Sequence, residues 1–390
     1  MSKPQHQIER QVAGAGIIVA LALAGTVGAA LMSNTHHPTT SPEDRAIATA
    51  VSAADPDHPA GAGGGLFGHV PHDPTAPVRP APITRASGDP RLATGFGNLR
   101  VAPALTRANL TVYPVSQDAP PAPQASASFA VLDEAMGNGT VSVVEPSLSV
   151  TNIGPQPTYV PGGEVVPGGN QDQGVATDSI IAPQSHDVSV ASFCVEENRS
   201  SGPSPQFNKD VAIAMPAVRY AMQVTGGQGQ VWSAVAVATN HFDAGTQTGT
   251  YHALMQSPSA LAAIQPYQDA LALTVPQKSA VGAIVVINGK VVCADVYRDP
   301  ALFAQLWPSL LRSYALQAAM RPQAGTTPVS RETAAGWLMA LDHAPGAERG
   351  GGPGTKVARV ATQDGAGVRV VSGPTLLHEA FWTDAAARVD

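Results

Sequence analysis

The stretch AVGAIVVINGKVVCADVY, residues 280–297, decides the fold class. Two apolar runs rich in valine and isoleucine flank the pair Asn288-Gly289. An Asn-Gly pair between such runs is the strongest short-range signal for a β-hairpin with a two-residue turn. The two runs are therefore predicted to be antiparallel neighbours, which favours an α+β fold over a doubly wound parallel sheet.

Strands and helices are predicted on both sides of this hairpin. Runs of β-branched residues indicate strands, whereas helical periodicity and capping residues indicate helices. The predicted strands include NLTVYPV, TVSVVE, KVARVAT, VRVVSG and TLLHEAF. The predicted helices include SFAVLDEAMGNG, QVWSAVAVATNHF, SPSALAAIQPYQDALAL and PALFAQLWPSLLRSYALQAAM. The expected architecture is α+β, with mixed or antiparallel sheets and several packed helices.

The N-terminus is predicted to be a membrane-targeting segment. Lys3 and Arg10 precede the uncharged run 12–32, which as a helix would span about 30 Å, the thickness of a bilayer core. The positive flank places the N-terminus in the cytoplasm and the rest of the chain outside it. Residues 1–32 are thus expected to be an uncleaved signal anchor or, with cleavage near the small residues 27–29, a signal peptide. The second alternative would release a secreted or periplasmic protein.

A disordered linker is predicted over residues 33–105. This segment is rich in proline, glycine and alanine and has no sustained apolar period. Its histidines are irregularly spaced and have no cysteine among them, so they are interpreted as solvated linker residues and not as a metal site. The globular domain is placed at residues 106–385.

Composition and motifs exclude several function classes. Only 13 % of the 390 residues are charged and the net charge is −7, with no basic run, so nucleic acid is not an expected partner. The chain has no Gly-x-Ser-x-Gly, His-Glu-x-x-His or Cys-x-x-Cys motif, so serine hydrolases, zincins and thiol oxidoreductases have no support. The sequence predicts no metal site and identifies no cofactor.

A double turn, YVPGGEVVPGGNQDQ at residues 159–173, indicates a polar site. Glycine permits positive φ and close backbone approach, and proline pre-sets a turn. The two Pro-Gly-Gly turns enclose Glu164 and end in a cluster of amides and acids. Acids oppose a phosphate ligand, and no Gly-Lys-Ser/Thr follows, so a P-loop is excluded. A cation, a sugar hydroxyl or an amine suits this group better.

Eight segments, in order, resemble one known family. They are LTVYPV, LDEAMGNGTVSVVE, YVPGGEVVPGGNQDQ, FCVEENR, GQVWSAV, VGAIVVINGKVVCADVY, LRSYALQA and GPTLLHEAF. Over about residues 109–382 the chain resembles the domain named for its association with ARG and rhodanese-phosphatase superfamily proteins, a family without an established activity. The resemblance implies a ligand-binding set formed by Glu164, Gly168, Gly169, Gln171, Cys194, Glu196, Arg199 and His378.

The chain departs from the family pattern at two positions. Gln173 stands where the family tends to have a basic residue, and Ser200 stands where an aromatic residue follows the arginine. If those groups bind a ligand in relatives, this chain binds it weakly or binds another ligand. Arg199 has a second interpretation, as the partner of Glu196 or Glu197 in a structural ion pair.

The two cysteines leave two alternatives open. Outside the cytoplasm Cys194 and Cys293 could form a disulfide, and two buried free thiols are the other possibility. As a nucleophile Cys194 would need a histidine base, and the spacing selects none of the four candidates in the folded part. These candidates are His186, His241, His252 and His378.

Two functions follow as hypotheses. The first is a binding or interaction module outside the membrane, which holds a small polar ligand or a protein partner at the double Pro-Gly-Gly turn. The alternative is a hydrolase that acts on a nucleotide- or ADP-ribose-like substrate, which the family's neighbourhood alone implies.

Overall fold

The computed structural model describes residues 91–117, 129–272 and 279–387. The predicted signal segment 1–32 lies outside the described residues, as does the linker up to residue 90. Within the described ranges, no helix is both long and apolar enough to cross a bilayer.

The described residues form twenty strands and eight α-helices. The strands are β1 (Arg91–Thr94), β2 (Gly97–Val101), β3 (Leu105–Arg107), β4 (Leu110–Gln117), β5 (Ala130–Val131), β6 (Val141–Val144), β7 (Leu148–Asn152), β8 (Thr158–Val160), β9 (Glu164–Val166), β10 (Gln173–Val175), β11 (Ser179–Ile181), β12 (Ser185–Val190), β13 (Ser192–Cys194), β14 (Ala212–Ile213), β15 (Ala280–Ile287), β16 (Lys290–Tyr297), β17 (Gly346–Glu348), β18 (Lys356–Thr362), β19 (Gly365–Ser372) and β20 (Thr375–Trp382). The helices are α1 (Leu132–Gly137), α2 (Pro216–Tyr220), α3 (Gln228–His241), α4 (Tyr251–Gln256), α5 (Pro258–Leu271), α6 (Pro300–Met320), α7 (Arg331–Asp342) and α8 (Asp384–Ala387). A π-helical turn, Ala221–Thr225, directly continues α2.

The hairpin β15–β16 forms the centre of a ten-stranded antiparallel sheet. The strand order is β1-β2-β4-β15-β16-β20-β19-β18-β17, with β3 paired to β4. Asn288 and Gly289 have φ values of 50° and 76°, as a two-residue hairpin turn with two left-handed residues requires. All eight residues of β15 are buried, because the sheet is covered on both faces. The predicted hairpin and the α+β class are confirmed.

The faces of the large sheet belong to two separate cores. Val285 and Cys293 face the larger core, which includes α6, whereas Ile284 and Ala294 face a smaller one beneath α7. On β20, Ala380 and Phe381 divide in the same way, as strand alternation predicts. Leu376, which strict alternation would put on the face of Ala380, instead packs against the smaller core. The pairing with β19 shifts its register between Leu376 and His378, and a one-residue shift reverses the face.

Three small sheets are built from the segment that contains the double turn. Their orders are β13-β10-β9-β14, β11-β8-β5 and β12-β7-β6. The first Pro-Gly-Gly turn takes the chain from β8 in one sheet to β9 in another, and the second joins β9 to its antiparallel neighbour β10. The first turn therefore connects two of the three sheets, and the second lies within one of them, at the other end of the three-residue strand β9.

One predicted strand is divided by a change of sheet. The alternation of DVSVASFCVEENR predicts a single face shared by alternate residues from Val188 to Glu196. In the structure β12 pairs with β7, whereas β13 pairs with β10. The common face therefore ends at Val190, which is buried, and Cys194 belongs to another sheet and is partly exposed.

The large sheet begins upstream of residue 106, where the sequence prediction starts the domain. β1 and β2 form a hairpin, and β2 pairs with β4. Leu99 and Val101 of β2 are buried in the smaller core together with Phe96. These few apolar residues lie among polar and glycine positions, so the segment resembles linker in composition although its backbone is paired.

Candidate functional site

The first Pro-Gly-Gly turn, residues 161–163, lies against a buried carboxylate. The backbone N–H of Gly162 donates to Asp178 Oδ1 at 2.6 Å. Tyr159 donates its hydroxyl hydrogen to Asp178 Oδ2, and the Nδ1 atom of His378 lies 2.6 Å from the same oxygen. The turn is thus tied to strand β20 through one aspartate.

A second carboxylate extends this cluster into the large sheet. The Nε2 atom of His378 is 3.3 Å from Asp295 Oδ1, so the imidazole lies between two acids. Arg219 donates to both oxygens of Asp295, with 3.0 Å between its Nη1 atom and Oδ2. Tyr314 donates to Asp295 at 2.5 Å. We call Asp178, Arg219, Asp295 and His378 the buried charge network.

The buried charge network is electrically balanced. Burial lowers the pKa of His378, but the charges of Asp178 and Asp295 outweigh it and raise this pKa to about 9. Burial likewise opposes ionisation of both acids, yet the cations hold the pKa of each carboxyl below its ordinary value. Two carboxylates therefore face one guanidinium and one imidazolium at neutral pH.

Its location makes the buried charge network part of the domain core. Arg219 is 1 % exposed and the other three side chains are 0 % exposed. Tyr297 stacks on the His378 ring, with 4.0 Å between the centroids and 6° between the planes. A buried ion pair contributes little net stability, but removal of one partner leaves an expensive uncompensated charge. In this arrangement His378 joins β20 to the first turn, and no solvent reaches it.

Stability is predicted to fall as the pH rises from 6.5 to 9. The pKa of His378 is about 9 in the folded protein and near 6.5 in an unfolded chain, so the contribution of its pairing is complete below pH 6.5 and is lost through pH 9. Burial also raises the pKa of Glu379, on the opposite face of β20, to about 8, so its ionisation destabilises the fold in the same direction. Urea unfolding at pH 6, 7, 8 and 9 measures the slope.

A variant separates the contribution of Glu379 from the rest of this slope. Glu379→Gln removes one titrating group and leaves the buried charge network intact. The free energy of unfolding should therefore still fall as the pH rises, but less steeply than in wild type. A stability that is constant or rises between pH 6.5 and 9 would contradict the pairing of His378 with its two acids.

The second Pro-Gly-Gly turn, residues 167–169, is held by Arg199. The guanidinium donates to Gly169 O at 2.7 Å and to Asp172 Oδ1 at 3.0 Å. Its Nε atom donates to Glu196 Oε2 at 2.7 Å, which confirms the predicted ion pair. Burial opposes ionisation of Glu196, but hydrogen bonds, first that from Arg199, lower the pKa of this carboxyl overall. Arg199 therefore ties the turn to the segment after β13.

Next to this ion pair, amides surround the thiol of Cys194. The thiol donates to Gln171 Oε1 at 3.1 Å, and Gln173 Nε2 lies 3.6 Å from the sulfur. Ser192 donates to Gln173 Oε1 at 2.7 Å. We call Gln171, Gln173, Ser192 and Cys194 the amide–thiol cluster. Gln171, Ser192 and Cys194 are partly exposed, so the cluster borders solvent.

Gln228 of α3 fixes the backbone beneath the amide–thiol cluster. Its Oε1 atom accepts from Cys194 N at 3.0 Å, and its Nε2 atom donates to Cys194 O at 2.7 Å. Because β13 is the edge strand of its sheet, this side chain occupies the place of a neighbouring strand's peptide group. The backbone groups of Cys194 are therefore already hydrogen-bonded and are not available to pair with another strand.

The structure divides the eight predicted site residues between the two turns. Gly168, Gly169, Glu196 and Arg199 form the ion-pair support of the second turn, and Gln171 and Cys194 lie in the amide–thiol cluster. His378 lies in the buried charge network, and Glu164 is 4 % exposed on β9 between the turns. Burial, followed by the charges of Asp133 and Asp178, raises the pKa of Glu164 well above its ordinary value.

Sequence reasoning missed Arg219 and Asp295. A signal for Asp295 exists, because it is the one acid within the apolar second strand of the hairpin, and a buried charge there requires a partner. Arg219 has no comparable signal, since an arginine in a short helix is usually exposed.

Among the described residues, no group of three or more histidine, cysteine or acidic side chains is arranged to hold a metal ion.

Both cysteines are free thiols. Cys293 is buried in β16, and burial raises the pKa of its thiol well above the ordinary value. Cys194 is partly exposed on β13, in contrast to the expectation that both thiols are buried. The structure has no disulfide between the two cysteines, and their strands lie in different sheets.

Comparisons with known proteins agree with the resemblance seen in the sequence. The profile of the ARG and Rhodanese-Phosphatase-superfamily-associated Protein domain matches residues 98–382. This range runs from β2 to the last residue of β20, so it includes both turns and the whole buried charge network. No curated protein and no solved structure shows significant similarity to the chain. The chain belongs to the ARG and Rhodanese-Phosphatase-superfamily-associated Protein domain family.

Proposed function

We propose that this domain is a binding module and that the amide–thiol cluster is its ligand site. The observation that supports this is a group of uncharged hydrogen-bonding side chains around Cys194, of which Gln171 and Ser192 border solvent together with the thiol. Such a site takes a small polar ligand, or the main chain of a partner, that both donates and accepts hydrogen bonds.

The site is organised before any ligand arrives. Gln228 fixes the backbone of Cys194 on one side, and Arg199 fixes the second turn on the other. Hydrogen bonds among Gln171, Gln173 and Ser192 orient the side chains. A preorganised site loses less conformational entropy on binding, so modest contacts suffice for affinity.

The surrounding charges favour a neutral ligand. Arg199 is the one cation in direct contact with the second turn in the described part of the chain, and it already bonds Asp172 and Glu196. Two acids against one base leave an excess of negative charge, which opposes phosphate and carboxylate ligands. Sugar hydroxyls, primary amides and peptide groups fit the site without an unpaired charge.

The hydrolase alternative lacks a supporting contact. A cysteine nucleophile requires a base within hydrogen-bond reach. In the described ranges, the hydrogen-bonding neighbours of the Cys194 sulfur are the amides of Gln171 and Gln173. His378 bonds two aspartates in the core and is not available to this thiol.

A thermal-shift screen of the full-length chain tests the binding proposal. Monosaccharides, nucleosides and dipeptide amides are the probes, and at least one class is expected to raise the Tm of the wild type. Gln173→Ala removes two hydrogen-bonding groups, so we expect its Kd for that probe to rise about tenfold, as one to two lost hydrogen bonds imply.

A glutamine outside the cluster provides the matched control. Gln265 is exposed on α5 and bonds Asp269 instead, so Gln265→Ala should leave the Kd unchanged. If no probe shifts the wild type, or if Gln173→Ala binds as tightly as Gln265→Ala, the amide–thiol cluster is not a ligand site.

A further inference from the structure

We propose that the interior beside the first Pro-Gly-Gly turn is a second binding site, which holds an oxygen ligand: a water molecule or the hydroxyl group of a small polyol. Its walls are Glu164, Arg219, Gln223 and Tyr297. This site is separate from the amide–thiol cluster and does not depend on the function proposed for it.

Four hydrogen-bonding atoms around this turn lack a partner among the described residues. They are Glu164 Oε2, Arg219 Nε, Gln223 Nε2 and Tyr297 Oη. Their side chains are between 0 % and 6 % exposed. Buried polar groups are almost always paired, and each unpaired group costs about as much as a lost hydrogen bond. Four such atoms in one neighbourhood therefore indicate an occupant that satisfies them.

Two of these atoms lie against the backbone of the turn. A Cβ atom on Gly162 would lie 3.0 Å from Gln223 Nε2 and 2.9 Å from Asp178 Oδ1. A Cβ atom on Gly163 would lie 3.3 Å from Arg219 Nε, and Glu164 is the next residue along the chain. The Tyr297 ring stacks on His378, which bonds Asp178, the carboxylate that accepts from Gly162 N. Because neither glycine has a side chain, Gln223 Nε2 and Arg219 Nε face the backbone of the turn directly.

A π-helical turn positions Gln223. The segment Ala221–Thr225 is π-helical and follows directly on α2, which contains Arg219. Such turns are rare and occur frequently at functional sites, because the wider winding redirects side chains. Here the π-helical turn places Gln223 against the glycine turn, within four residues of Arg219.

The chemistry of the four atoms selects the occupant. Arg219 Nε and Gln223 Nε2 can only donate, whereas the tyrosine hydroxyl can donate or accept and the Glu164 carboxyl oxygen can accept. The partner must therefore accept at least two hydrogen bonds and can also donate. A water or alcohol oxygen meets this requirement, and buried waters typically make about three hydrogen bonds to groups left unpaired by the protein.

Two substitutions of fully buried tyrosines test for the occupant. Tyr314 bonds the charged Asp295 directly, so Tyr314→Phe shows the effect of a lost hydrogen bond to a charge, at least about a tenfold rise in the unfolding equilibrium constant. If a neutral oxygen ligand bonds Tyr297, Tyr297→Phe should give a smaller rise in urea unfolding, about fivefold. If nothing bonds this hydroxyl, Tyr297→Phe should be as stable as wild type or more stable.

A crystal structure of the full-length chain from polyol-free solution locates the occupant. Density for an oxygen within hydrogen-bond distance of Arg219 Nε and Gln223 Nε2 is expected if it is water. If it is a hydroxyl ligand, 10 mM glycerol should raise the Tm of wild type but not of Gln223→Leu. An empty site, no glycerol effect and a Tyr297→Phe variant at least as stable as wild type would together overturn the proposal.

Discussion

Arg219→Met is expected to lower the free energy of unfolding by about 3–5 kcal/mol, the usual cost of leaving one member of a buried ion pair alone. The substitution keeps the apolar stem but removes the charge that faces Asp295. Asp295 would then be left at 0 % exposure with His378 as the remaining cation of the buried charge network. Urea unfolding monitored by circular dichroism at pH 7 measures the loss.

Two further variants distinguish charge from volume. Arg219→Met combined with Asp295→Asn removes both charges, so it should be less destabilised than the single variant. Arg199→Met removes the guanidinium of the partly exposed ion pair, where solvent screening reduces the expected loss to about 1 kcal/mol. If Arg219→Met unfolds within 1 kcal/mol of wild type, the buried charge network does not hold the core together.

Gly163→Ala is expected to cost about 2–4 kcal/mol, from a left-handed backbone and an overpacked contact together. Gly163 has a φ of 86°, a conformation that alanine adopts with strain. Its Cβ atom would also lie 2.6 Å from Arg219 Cγ, well inside van der Waals contact. The arginine cannot move away easily because Asp295 holds its guanidinium.

Gly139→Ala is the matched control for this prediction. Gly139 has a φ of 78°, but a Cβ atom there would meet nothing within 4 Å. It should therefore lose only the backbone part, about 1 kcal/mol. Equal losses in the two variants would show that the first turn needs glycine for its backbone conformation alone and not for close approach to Arg219.

Local signals predicted most of the secondary structure correctly. The Asn-Gly pair at 288–289 gave the central hairpin, and Ser257 followed by Pro258 gave the start of α5. These signals act through backbone geometry within a few residues, so they are visible in sequence. The division of DVSVASFCVEENR between two sheets was not predicted, because a change of pairing partner at Ala191 leaves the alternation of residue types intact.

The candidate sites were predicted in part. The ion pair of Arg199 with Glu196 was foreseen because its partners are three positions apart. His378 and Asp178 are separated by 200 positions, and no pattern within either segment indicates the other. The sequence grouped Glu164 and His378 with the residues of the second turn, whereas the fold directs both of them into the interior. Which side of a glycine turn faces the core is decided by packing and not by the turn itself.

The central claim is that the two Pro-Gly-Gly turns have different roles, the first supporting the core and the second presenting a binding site. One thermal-shift titration tests it, with the probe that stabilises wild type and with Gly163→Ala and Gln173→Ala compared in the same experiment. Gly163→Ala should have a lower Tm in the absence of probe and an unchanged Kd, and Gln173→Ala should have a Kd raised about tenfold. A weakened Kd in Gly163→Ala together with an unchanged Kd in Gln173→Ala would contradict the account.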